Sequence, residues 1–141
     1  MKKISSLIAV ALIALAGSVQ ALDIQTVVSG TTNSVYSSRT NSYSTVIPVV
    51  KASNAGFGFS GVLLSAGTGN TTVVMDSSAD NVTWKVGSHT IVFAMNGTTS
   101  VTAVTNMTLG ALGYLRLSSI INANTNTLTN IVFKVSTKTG L

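Results

Sequence analysis

Residues 127–137 read Thr-Leu-Thr-Asn-Ile-Val-Phe-Lys-Val-Ser-Thr, and this stretch decides the fold class. Ile131, Phe133 and Val135 fall on one side of an extended chain, with Val132, Lys134 and Ser136 on the other. Successive side chains of a strand point to opposite faces, so a period of two sorts this segment where a helical period would not. Its β-branched and aromatic residues also favour a pleated, half-buried surface. The same alternation recurs upstream. Ile91, Phe93 and Met95 share a face, and Leu115 and Leu117 oppose Leu112, Tyr114 and Arg116. Val82, Trp84 and Val86 alternate with Thr83 and Lys85.

Working outward, the pattern predicts strands over 24–29, 43–51, 57–64, 71–76, 82–86, 90–95, 100–105, 113–120 and 127–137. Turn chemistry separates them: Asn54-Ala55-Gly56, Gly67 to Asn70, Ser77 to Asn81, the tight-hairpin pair Asn96-Gly97, and Asn122 to Asn126. No window carries a sustained 3.6-residue apolar period with helix caps. Many short strands with regular turn signals indicate a sandwich or barrel. Pro48 cannot donate to a ladder, which places its strand at an edge or interrupts it. The closing strand, guarded only by Lys134 and Lys138, is the second expected edge. The polar segment 31–44 is expected as a loop or exposed arm. Gly56-Phe57-Gly58-Phe59-Ser60-Gly61 lacks a phosphate-loop signature and marks a strand approached closely by another backbone.

The N-terminus reads as an address. Lys2 and Lys3 precede the apolar run Leu7 to Ala16, and Val19-Gln20-Ala21 places small or compact residues at a cleavage site. A membrane span needs roughly 20 apolar residues, about twice this run. Residues 1–21 are thus expected to be a cleaved, helical secretory signal peptide, with 22–141 as one β-sandwich domain. The expected destination is secreted, whether extracellular, at the cell surface or in the periplasm, or else a virion, with no membrane attachment after cleavage.

Composition narrows the function classes. The 141 residues include no Cys, no Glu, three Asp and one His. Disulfides, thiolate metal sites and Cys nucleophiles are excluded. Without Lys2 and Lys3, six basic residues face three Asp, a net charge of +3, and the bases are scattered. Nucleic-acid binders gather Lys and Arg on one face, so no nucleic-acid partner is expected. A glycosidase needs two suitably placed carboxyls, and a serine triad needs a framed nucleophile beside an oriented His. His89 lies in Gly-Ser-His-Thr with no such elbow. The expectation is a protein without catalysis and without a cofactor. Asp76, Asp80 and Asn81 form a calcium candidate set, although calcium sites usually recruit more carboxylates. Asn70, Asn81, Asn96 and Asn106 begin Asn-x-Thr sequons, which arise by chance in so Thr-rich a chain.

One spacing carries a family resemblance. Ser78-Ala79-Asp80-Asn81-Val82-Thr83-Trp84 follows the strand TTVVMDSS, Tyr114-Leu115-Arg116-Leu117 comes about thirty residues later, and NIVFKVST closes the chain. This resembles the discoidin-like, galactose-binding jelly-roll modules, in which a Ser-x-Asp-Gly-x-x-Trp hairpin precedes an aromatic-hydrophobic-Arg-hydrophobic strand. Similar hairpins recur in small β-sandwich proteins of phage virions and bacterial surfaces. Asn81 stands where the family has Gly, and it too tolerates the left-handed region. The resemblance implies an all-β, antiparallel, jelly-roll-like sandwich of about eight to nine strands. Asp80-Asn81 is expected to form an Asx-type turn, Trp84 to plug the core, and Arg116 to pair with a carboxylate or carbonyls nearby. Discoidin-like modules bind carbohydrate or lipid through variable loops, so no binding residue carries over.

The expected function is contact: a secreted structural or adhesive β-sandwich protein, a homo-oligomer or partner of other structural subunits in a larger extracellular or virion assembly. The alternative is a carbohydrate-binding module of discoidin-like type with a glycan partner. Its binding candidates are Trp84, Tyr114 and Arg116, with Tyr36 and Tyr43 as further aromatics.

Overall fold

The computed structural model describes residues 22–28, 34–95 and 98–139; the expected signal peptide and the Asn96-Gly97 turn lie outside the described residues. Among the described residues nine strands form, β1(Leu22–Val28), β2(Arg39–Ser42), β3(Val46–Pro48), β4(Ala52–Gly67), β5(Asn70–Ser78), β6(Lys85–Ala94), β7(Thr98–Thr108), β8(Tyr114–Asn122) and β9(Leu128–Thr139). One sheet has the order β1-β9-β4-β7 and the other β2-β8-β5-β6, with β3 also on β8. Every pair is antiparallel. β2 and β3 occupy successive stretches of one edge of β8. Counted as one interrupted strand, they leave eight strands in two interleaved four-stranded sheets, which is jelly-roll connectivity.

The alternation that opens the sequence holds. Ile131, Phe133 and Val135 are wholly buried, and so are Leu115 and Leu117. Phe57 stacks on Phe133 at 6.1 Å within one sheet. Phe59 stacks on Phe93 at 4.8 Å and ties the two sheets together. Burying such side chains stabilises by about 1.5–3 kcal/mol each. Gly61 explains part of the glycine-rich stretch, because a Cβ there would lie 2.8 Å from Leu128 Cδ1.

Five expectations are corrected. Val82-Trp84-Val86 is not an inward strand face: β6 starts at Lys85, and Val82 and Val86 are exposed. The signalled turn at Asn54-Ala55-Gly56 is extended chain within β4. The segment 31–44 is not a simple polar loop, since residues 39–42 pair with β8 and Val35 is fully buried and bridged to Leu128. There the backbone ladder supplies what the side-chain pattern does not. The closing strand is no edge: β9 lies between β1 and β4. Finally, β6 and β7 flank Asn96-Gly97 but belong to different sheets, so they are not a hairpin. The expectation for Pro48 holds, as it ends β3 on an outer edge.

Candidate functional site

Two of the segments that carry the resemblance, 78–84 and 114–117, meet at one end of the β2-β8-β5-β6 sheet, while NIVFKVST lies in β9 of the other sheet. Asp76 on β5 and Arg116 on β8 are register partners. Leu115 and Leu117 point into the core, so Arg116 between them points outward, and Asp76 with it. Arg116 donates from Nη2 and Nε to Asp76 Oδ2 at 2.7 and 3.0 Å. The amide of Gly87 donates to Asp76 Oδ1 at 2.8 Å. Both carboxylate oxygens are thereby satisfied, as a carboxylate only 2% exposed requires. Trp84 lies above this pair, with the Arg116 guanidinium carbon 4.3 Å from its ring centroid.

The 79–84 loop is shaped by its own side chains. Ser78 Oγ donates to Asp80 Oδ1 at 3.0 Å and accepts from the amide of Asn81 at 2.9 Å. Asp80 Oδ1 accepts from the amides of Val82 and Thr83 at 2.9 and 2.8 Å. This is the expected Asx turn, and Asn81 takes the left-handed conformation at φ 61°. The amides of Thr83 and Val82, then the Ser78 hydroxyl, hold the Asp80 carboxyl down to a pKa of about 2. The same bonds explain why the local alternation misleads: they close a turn where Val82, Thr83 and Trp84 would otherwise extend. Trp84 is half-buried on the sheet's outside, not a core plug. Arg116 is paired as expected.

A groove of about 410 Å³ runs beside Trp84, lined by Ser77, Ser78, Asp80, Thr83, Lys85 and Leu112. Tyr114 is half-buried on the same outer face, between Ser78 and Pro48. The other aromatics do not join it. Tyr36 is exposed, and its carbonyl accepts from Asn122 at the far end of β8, roughly 26 Å away by strand rise. Tyr43 packs against the core. The calcium candidates are not assembled as a cation site either. Asp76 is committed to Arg116, and Asp80 faces amide and hydroxyl donors. Among the described residues no cluster of three His, Asp or Glu side chains occurs.

His89 lies on β6 opposite Met75. It lines a groove of about 520 Å³ between β6 and β7, with Ile91, Phe93, Ala103 and Met107. Burial, and then the charge of Lys85, lower its pKa from the usual 6.5. Exposed apolar side chains lie on the strands that, among the described residues, are unpaired on their outer side. Ile24 on β1 is 59% exposed, Val46 on β3 40%, Val92 on β6 56% and Val104 on β7 75%. Their partners Ser136, Arg116, Thr72 and Gly58 alternate with core residues, so all four side chains face outward.

No family model matches the sequence, and no curated protein matches it. Among solved structures the fold is similar to that of the PBSX exported protein XepA, with a TM-score of 0.51 and 16% identity over 84% of this chain and 38% of that one. The chain thus spans under half of that protein. It is also similar to a structure described as CBM4, at TM-score 0.47 and 8% identity over 89% of this chain and 83% of that one. The PRD1 vertex protein is similar at TM-score 0.42 and 10% identity, over 84% of this chain and 94% of that one. At these identities the likeness is one of fold alone.

Proposed function

We propose that this chain is a secreted, non-catalytic subunit that acts through surface contact in a repeated extracellular or virion assembly. One observation carries the proposal: among the described residues, the two outer strands of the β1-β9-β4-β7 sheet are unpaired on their outer side, expose the β-branched Ile24 and Val104, and carry a single charge, Asp23. β7 has eleven residues and no charged side chain. Proteins that stay monomeric guard such edges with Lys, Pro, bulges or covering segments. The polar cluster at Asp76 and Arg116 fits a non-catalytic role, because its carboxylate is fully engaged by internal donors. Light scattering of the exported protein at low salt and in 1 M salt tests the proposal. Edge contacts persist in 1 M salt, where charges are screened within about 3 Å. A protein that stays monomeric at high concentration in both conditions overturns it.

A second function is supported by one specific feature, the half-exposed Trp84 ring beside its groove. One ring face lies against Arg116, and the groove side offers a surface for a sugar ring. Retention on a glycan array that is lost in Trp84→Ala, with the fold intact, favours this function over assembly.

A further inference from the structure

We infer that copies of this chain join head to tail, the free edge of β7 in one copy pairing with the free edge of β1 in the next. This rests on the assembly function proposed above and specifies its interface.

Strand direction is the first ground. The β1-β9-β4-β7 sheet is antiparallel throughout and even in number, so its two edge strands run in opposite directions. A second copy placed beside the first without inversion therefore continues the antiparallel ladder, β7 against β1. The other sheet has the same parity, with β2 and β3 sharing one position. A single step can extend both sheets, β6 coming beside β2 and β3.

Chemistry at the edges is the second ground. Among the described residues no strand pairs with the outer side of β1 or β7. In register terms Val104 lies in the row Gly58, Lys134, Thr26, and Ile24 lies two residues further along in the row Ser136, Gly56, Asn106. An unstaggered junction sets Val104 beside Thr26 of the next copy, with Ile24 on the diagonal at roughly 7–8 Å. Two exposed apolar side chains on the same face thus cover each other. A two-fold junction of β7 with itself leaves Ile24 and Val46 uncovered, whereas head-to-tail contact uses both kinds of edge. Charge does not oppose it. β7 has none, β1 has Asp23, and in the second sheet Lys85 and Arg39 sit at opposite ends of the register. Such a heterologous contact gives an open filament, or a ring where the rotation closes.

The chain contains no cysteine, so engineered thiols report without background. The test uses Val104→Cys and Ile24→Cys as separate full-length variants, each checked for the all-β circular dichroism of the parent. A short bismaleimide should link them only when they are mixed, and the double variant should give a ladder of linked multimers. Thr26→Cys replaces Ile24→Cys if the latter folds poorly. Val104→Lys should shift the assembled protein to monomer without changing its fold. Self-linking of Val104→Cys alone means two-fold pairing and overturns the inference. Large species with no link in the mixed sample also overturn it, while leaving assembly by another surface. A monomer under all conditions removes both proposals.

Discussion

Asp76 and Arg116 form a brace, because the Asp76 carboxylate has given up water and must be compensated inside the protein. Removing its partner leaves a buried charge with only the Gly87 amide. Arg116→Ala should therefore destabilise the fold by about 3 kcal/mol, the lower end for breaking a buried pair, since Arg116 is partly exposed. Trp84→Ala removes a half-buried ring and a cation–π contact worth roughly 0.5–1 kcal/mol, so about 1–2 kcal/mol is expected. Denaturant midpoints of both variants and their double mutant measure this. A Trp84→Ala loss of 3–5 kcal/mol, the range for a core aromatic, would contradict the half-buried placement. The Asx turn and the partnering of Arg116 were legible in the sequence, because both are set by a few neighbouring or characteristically spaced residues. That Asp76 is the partner was not, because a forty-residue separation is closed only by the β5–β8 register.

Elements were legible where side-chain pattern alone makes a strand. β8 alternates from Tyr114 to Leu117 and β9 from Ile131 to Lys138, with the inward faces that the sequence marks, and each strand slips by one residue outside that run. β2 was not legible, since Arg39-Thr40-Asn41-Ser42 has no apolar face and exists by backbone pairing. What holds this region in place is the β8–β9 turn. Asn122 Nδ2 donates to the carbonyls of Val35, Asn126 and Tyr36 at 3.0, 2.9 and 3.3 Å. Its Oδ1 accepts from the side chain and backbone of Asn124 at 2.8 and 3.1 Å. Gly69 completes the fit, because a Cβ there would lie 2.8 Å from the Ala123 carbonyl oxygen and its φ is +132°. Asn122 is fully buried, so Asn122→Ala leaves several polar groups unpaired, each worth about 1–3 kcal/mol. The expected loss is about 3 kcal/mol, with early proteolysis in the segment 34–42. Stability within 1 kcal/mol of the parent, or an uncut 34–42 segment, would show that β2 stands without the asparagine turn.

At the scale of the whole molecule, the jelly roll closes by bringing its first described strand onto its last. Leu22 pairs with Lys138, and the ladder continues to Val28 opposite Phe133. Sequence alone ranks β9 as an exposed edge, because its Ile131-Val132-Phe133 centre is strongly β-forming and nothing local says which strand lies beside it. β1 is that strand, and it converts a strongly β-forming segment into an interior one. A protein lacking residues 22–28 keeps β9 paired to β4 on one side only. It loses Val28 from the core and bares the β9 backbone on the other side. The shortened protein should therefore form disordered aggregates that bind thioflavin T, at concentrations where the parent gives only discrete species. Adding a Val132→Lys substitution to the shortened chain should suppress this, because the charge then stands on the outer face of the newly exposed edge. In the intact protein the same substitution should leave association unchanged, as Val132 lies on an interior strand away from β1 and β7 edge contacts. Sedimentation and dye binding of the four proteins separate the cases. A shortened chain that remains soluble and folded would mean that β1 does not guard β9.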